Sequence, residues 1–346
     1  MDSDTQTTLS PKTDRSIPEW TKTITRFKHA DTLASTWQVL NTLVPFAMLS
    51  GLMVVSYGWS YWLSLLLAIP TAAFLVRIFI LQHDCGHHSF FHSVKANDVL
   101  GCLCGVLTLT PYHSWRRFHA RHHVTSGNLT HRSYGDVMTL TVREYLALSR
   151  WGRLRYRVYR HPLFMFVIGA SYFFMIRQRF TSGLPRSWRR ERMSVHTTNL
   201  GLLAVLVFAW LTIGLPMFFA LWLPVGMLSA AVGSWLFYVQ HQCEDAYWEH
   251  DESWDFTRAA LEGSTYLRLP RVLQWFTSNI GYHHIHHLNS RIPNYHLPTC
   301  YAAELAFRDG PTIDLGDGIK SMSLKLWDAD ARRMVTFAQA HSLRVA

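Results

Sequence analysis

Apolar residues along this chain fall in four long blocks and two shorter ones, separated by polar, histidine-rich stretches. Thr36 to Ser56 and Trp59 to Leu81 form one closely spaced pair; Asn199 to Phe218 and Trp222 to Gln240 form another. Each is about the 20 residues that an α-helix needs to cross the hydrocarbon core of a bilayer. Trp37, Trp59, Trp62, Trp210, Trp222 and Trp235 sit mostly near the block ends, where indole rings anchor at the interface. Pro70 and Pro224 lie inside apolar stretches, which membrane helices tolerate. The pattern predicts an all-α integral membrane protein with four spans in two hairpins. A large soluble helical core is the alternative, and the paired long blocks argue against it. Val99 to Tyr112 and Pro162 to Ile176 are too short to span and are expected as helices in the interface or packed beneath the bundle.

Of 346 residues, 49% are hydrophobic and only 16% charged, with a net charge of +10. Residues 1–35 are polar and contain no apolar run, so no cleavable signal is expected, and the tail is expected to be mobile before Trp37. Residues 36–298 form the membrane domain, and 299–346 read as a more polar terminal cap. Cys85, Cys102, Cys104, Cys243 and Cys300 form no CxxC pair, which fits reduced thiols and no disulfide framework. Binding to nucleic acid is not expected of a chain held in a membrane.

The chemistry is carried by histidine. His83-Asp-Cys-Gly-His87-His88, His119-Ala-Arg-His122-His123 and His283-His284-Ile-His286-His287 place imidazoles at i and i+4, or at i, i+3 and i+4. On a helix this spacing stacks side chains on one face. A lone histidine is usually a satisfied core residue; three such clusters reverse that reading, because imidazole is the commonest ligand for several transition metals. His83, His87, His119, His122, His123, His283, His286 and His287 are too many for one ion, since a zinc site closes with four. Two ions sharing them retain open positions. The donor set suits a non-haem di-iron, oxygen-activating centre, with di-copper and di-zinc open on chemistry alone.

Parity places the clusters together. The first hairpin returns the chain to its starting side at His83, and no span separates His83 from His119 to His123. The second hairpin returns it at His241, with no span before His283. Arg177, Arg179, Arg186, Arg189, Arg190 and Arg192 crowd the approach to the third span, whereas the turns near Gly58 and Pro216 carry no Lys or Arg. The positive-inside bias therefore puts the clusters in the cytosol.

The motifs HDCGHHSF at 83–90, HARHH at 119–123 and HHIHH at 283–287 resemble the three histidine boxes of membrane fatty-acid desaturases. The resemblance runs from about Gln82 to Pro298 and includes Thr125-Ser-Gly-Asn-Leu, Gly135-Asp136, Thr139-Leu-Thr-Val, Tyr238-Val-Gln-His-Gln and Asn279-Ile-Gly-Tyr. It looks closest to bacterial acyl-lipid desaturases of the Δ5/Δ12 type, and the three residues between His83 and His87 match the acyl-lipid rather than the acyl-CoA pattern. The resemblance implies two iron ions, O2 as co-substrate, and a cis double bond introduced into an acyl chain of a membrane lipid. It further implies a bacterial cytoplasmic membrane and a separate electron donor, with ferredoxin the default. His241, at the cytosolic end of the fourth span, matches an additional histidine that related enzymes recruit before the third box and is expected as a ninth ligand.

Metal-bound histidines need partners that fix ring and tautomer. His88, His284, Asp84, Asp136 and Glu244 are candidates by proximity, and Asn279, one helical turn before His283, is a candidate to hold a metal-bound water. Hydroxylases and acetylenases on the same scaffold remain an alternative. A histidine-rich transporter is another, but Arg77 is the lone ionisable residue within a span, near its cytosolic end where it is expected to snorkel.

Overall fold

The computed structural model describes residues 19–132 and 136–342. Gly135, part of the expected 1–35 tail and the last four residues lie outside them. Four long helices form the body: α1 over Thr32–Tyr57, α2 over Tyr61–Gly86, α6 over Arg189–Thr212 and α7 over Leu215–Val239. All four are long and apolar enough to cross a membrane. Between the hairpins lie α3 (Val94–Leu107), α4 (Tyr112–Thr125) and α5 (Arg150–Tyr159), with α8 (His283–Leu288) after the second hairpin.

Local chemistry sets the ends. Asp31 caps α1 by accepting from the amides of Leu33 and Ala34 at 2.8 and 3.0 Å, satisfying donors that the first turn leaves unpaired. Between α6 and α7, Gly214 takes φ +79° and Pro216 sits in the first turn of α7, where its missing N–H costs nothing. The long faces of α1 and α6 stay exposed, as lipid-facing surfaces are: Leu33, Met48, Leu200, Phe208 and Leu211 are all open. By contrast α2 is more than half buried and packs against α1, α3 and α7.

The short apolar stretches differ from expectation. The first is not continuous to Tyr112: α3 ends at Leu107, Leu109 adopts φ +57°, and Tyr112 opens α4. The second is π-helical over Leu163–Gly169 and Tyr172–Ile176, a geometry seen mostly in short pieces and frequently at functional sites.

Two further expectations fail for physical reasons. The chain before Trp37 is not wholly mobile: Glu19–Phe27 is helical, and Ile24 is buried against Ile285, Leu288 and Phe307. Arg77 does not snorkel. It is 2% exposed, donates to Thr42 Oγ1, Ser278 Oγ and the Trp275 carbonyl, and lies 3.9 Å from the Trp275 ring centroid. The loop before α8 supplies enough acceptors and a π face to hold the cation inside.

Short strands tie the C-terminal segment onto the histidine-bearing end. Strand β1 (Leu140–Thr141) pairs in parallel with β4 (Leu326–Asp328), which pairs antiparallel with β5 (Arg333–Val335). Strands β2 (Tyr266–Arg268) and β3 (Thr312–Asp314) pair in parallel. Tyr238, at the end of α7, donates to the carbonyls of Ser321 and Leu324. Arg160, fully buried, donates to Met138 O, Thr139 Oγ1, Gln242 Oε1 and Leu324 O, joining four chain segments.

Candidate metal centre

Helix α2 delivers His83 in its last turn and His87 at its C-cap. His88 then adopts φ +54°, a left-handed turn that costs an L-residue roughly 1–2 kcal/mol. It is held by Asp98 on one ring nitrogen at 3.0 Å and by Arg116 on the other at 3.2 Å. Helix α4 carries His119, His122 and His123, and α8 carries His283, His286 and His287. A methyl group on Gly86 would come within 2.8 Å of Trp115. Glycine therefore lets α4 close on α2, and Trp115 stacks on the His119 ring at 4.5 Å. His241 follows α7 by two residues.

The side chains converge as two groups. His83, His87, His119, His123 and His286 form one; His122, His241, His283 and His287 form the other; within each, one ring nitrogen per residue lies within 4.8 Å of all the rest. The groups adjoin, with the His123 and His287 rings stacked at 4.2 Å. Burial, and then the neighbouring imidazoles, push His87, His119, His123, His283, His286 and His287 well below the ordinary histidine range; burial and His122 do the same for His241. All seven are neutral at pH 7, the form that ligates metals.

The hydrogen-bond network tests whether a cation fits. His122 Nδ1–H donates to Asp136 Oδ1 at 2.5 Å, and His241 Nδ1–H faces Gly263 O at 3.4 Å. Both therefore present bare Nε2 lone pairs, and these face each other at 3.2 Å. His83 Nδ1–H donates to Asp84 Oδ1 at 3.1 Å, leaving its Nε2 buried without a partner, as is that of His87. Asp136 Oδ2 is likewise buried, with no hydrogen-bond partner among the described residues. Lone pairs aimed at lone pairs beside a buried carboxylate repel unless positive charge lies between them. The donor set fits metal in both groups.

The expected orienting residues divide. Asp84 and Asp136 each hold a ring of the cluster. His88 does not touch the cluster; Asp98 and Arg116 occupy its nitrogens. His284 points away, its Nε2 donating to the Phe307 carbonyl at 3.0 Å, because at about 100° per residue it falls outside the arc shared by His283, His286 and His287. Glu244 is exposed, with its carboxylate 3.6 Å from Arg333. Asn279 is not a helical turn before His283: α8 begins at His283, Asn279 adopts φ +60°, and its amide donates to Asn294 O. Missing from the sequence reading was Asn294, whose backbone and side-chain N–H groups both donate to Asp84 Oδ2, at 2.7 and 2.9 Å. Ser126 and Ser264 hydroxyls near His241 Nδ1 were also missed. No spacing rule points to residues that approach from separate loops.

A cavity of about 650 Å³ adjoins the cluster, within the usual range for small-molecule sites. His83, His119, His122 and His283 form part of its wall, and Phe79, Trp115, Phe166 and Phe237 line it nearby. Phe164, Phe173 and Phe180, whose rings are partly open to the outside, also line it.

A family model for fatty acid desaturase matches residues 57–312. The chain is 44% identical over 317 residues to a fatty acid desaturase of Bacillus subtilis (strain 168), spanning 92% of this chain and 90% of that one. It is 29% identical over 286 residues to an endoplasmic-reticulum omega-3 fatty acid desaturase of Vigna radiata var. radiata, covering 77% and 70% of the two chains. Over 227 residues it is 29% identical to an sn-1 acyl-lipid omega-3 desaturase (ferredoxin) of Synechocystis sp., covering 64% and 61%.

Proposed function

This chain belongs to the fatty acid desaturase family, and we propose that it is a di-iron enzyme that inserts a cis double bond into an acyl chain of a membrane lipid. That it is a membrane-bound desaturase, an oxidoreductase of lipid metabolism, follows from membership. The observation that carries the finer reading is the apolar cavity reaching from exposed aromatic residues to the nine-histidine cluster. A substrate that never leaves the bilayer suits such a passage.

His83, His87, His119, His123 and His286 would hold one iron, and His122, His241, His283 and His287 the other. When bound and reduced, the pair supplies the O2-dependent oxidation that removes two hydrogens from adjacent methylenes and forms water. The chain's own residues do the rest. Asp84, itself braced by Asn294, and Asp136 fix the tautomers of His83 and His122, leaving Nε2 free to ligate. Phe237, whose ring lies 5.0 Å from that of His122, and the other aromatic walls exclude water. They also hold a chain whose methylenes differ little in reactivity, so that position alone selects the reacting pair.

Arg186, Arg189, Arg190 and Arg192 gather at the same end as the cluster, before and at the start of α6, which supports a cytosolic site in a bacterial cytoplasmic membrane. A separate ferredoxin is the proposed electron donor, in keeping with the ferredoxin named for the Synechocystis relative. The test is expression in a desaturase-deficient bacterial host supplying a ferredoxin. The expected result is phospholipid with a new cis double bond and a C-terminal reporter in the cytosol. Hydroxylated chains alone would overturn the double-bond reading, faster conversion of acyl-CoA the lipid-substrate reading, and a periplasmic C-terminus the topology.

A further inference from the structure

Two glycines on α7 line the cavity, and they differ in what replaces their missing side chains. At Gly226 an added Cβ would fall 2.7 Å from Met175 Cε, so this glycine makes room for the π-helical segment. At Gly233 an added Cβ would meet nothing within 4 Å. A helix-interior glycine costs about 1 kcal/mol relative to alanine, and at Gly233 no neighbour among the described residues uses the space. The open volume there belongs to the cavity.

Its position along the helix gives that space a meaning. Gly226, Ala230, Gly233 and Phe237 follow one another at intervals of four, three and four residues, forming a single stripe that faces the cavity. Phe237, one turn beyond Gly233, touches the rings of His122 and His241 at 5.0 and 5.4 Å. Gly226 lies about 10 Å the other way along the axis. A chain reacting beside His122 and extending down this face must pass Gly233.

We propose that Gly233 is a specificity-determining position: its bare backbone leaves the lane for the methyl-terminal part of the acyl chain, and its size sets how many carbons fit beyond the reacting pair. This rests on the desaturase reading above. The headgroup of a membrane lipid stays in the interface, so the apolar lane along α7 receives the methyl end. A side chain at this position shortens the lane without removing any group that touches the metal cluster.

The experiment compares wild type with Gly233→Ala, Gly233→Val and Gly233→Leu in a host fed saturated acyl chains that differ by two carbons. It reads double-bond position, conversion of each chain length, and iron per purified chain. Iron content is expected to hold while preference shifts toward the shorter chain, or the double bond moves toward the methyl end. One excluded methylene corresponds to about a fourfold change in the long-to-short ratio and two to about fifteenfold, so Leu should exceed Ala. An unchanged profile in the Leu variant, or a loss equal at every chain length including complete loss in all three, would overturn the proposal. Absence of double bonds from an iron-replete wild type would instead overturn the reading on which it rests.

Discussion

Replacing Asp136 by Asn removes one charge and almost no volume. Asp136 Oδ1 accepts from His122 Nδ1–H at 2.5 Å, both side chains are nearly inaccessible, and Oδ2 has no partner among the described residues. In wild type the carboxylate can only accept, so the His122 proton stays on Nδ1 and Nε2 stays free for metal. The variant loses the charge assistance, which makes such a bond roughly twice as strong as a neutral one. Should the amide turn its NH2 toward the ring, the His122 proton moves to Nε2 and the donor is lost. Partners of this kind typically carry a 10–100-fold effect on metal affinity, or about 1.4–2.7 kcal/mol. Chelator titration of the purified protein, with iron per chain read by elemental analysis, is expected to show one of two irons released at about 10–100-fold lower chelator. Asp84→Asn should loosen the other group, and the exposed Glu244→Gln should do nothing. Superimposable curves for Asp136→Asn and wild type would refute the argument, because they would mean that the carboxylate does not set the ligand's tautomer.

His241→Ala leaves the smaller group with three imidazoles, so iron should fall toward one per chain and activity should vanish while membrane insertion persists; two irons with full activity would make the residue structural. The pH dependence of stability should include a contribution from His284, which burial holds down to about 4. An unfolded histidine titrates near 6.5, so the contribution is present above about 6.5 and lost as pH falls toward 4, about 3 kcal/mol in all. In detergent, His284→Gln should flatten the melting temperature over that interval; an unaltered slope would refute this. Arg160→Met removes the charged donor shared by Gln242 Oε1 and the Met138 and Leu324 carbonyls, leaving them the weaker Thr139, Tyr156 and Tyr238 hydroxyl donors, for a loss of about 1.5–3 kcal/mol; an unchanged melting temperature would show that the four segments hold without it.

Periodicity and length alone made the four long helices legible, because crossing a bilayer constrains both at once. The i, i+4 or i, i+3, i+4 spacing within each box marked eight of the nine clustered histidines, and chain parity brought His241 beside them. Those features are local or depend on counting, so a linear text carries them. The division of the nine into five and four is different. His122 and His123 are adjacent yet belong to separate groups, because neighbouring positions on α4 point about 100° apart, and only the placement of α2 and α8 decides what each ring meets. The same reason defeated the expectations for His88, His284 and Glu244, which were chosen by nearness in sequence; Asn279 precedes α8 and so lacks the helical register assumed for it. Asp84 and Asp136 orient rings, but Asn294 braces Asp84 from 210 residues away. Nor does a string of letters distinguish Gly226, which admits Met175, from Gly233, which admits no side chain among the described residues. The residues report what each segment can do; the tertiary structure decides which segments meet, because close packing, and not spacing, sets the distances at which imidazoles, carboxylates and empty space act on one another.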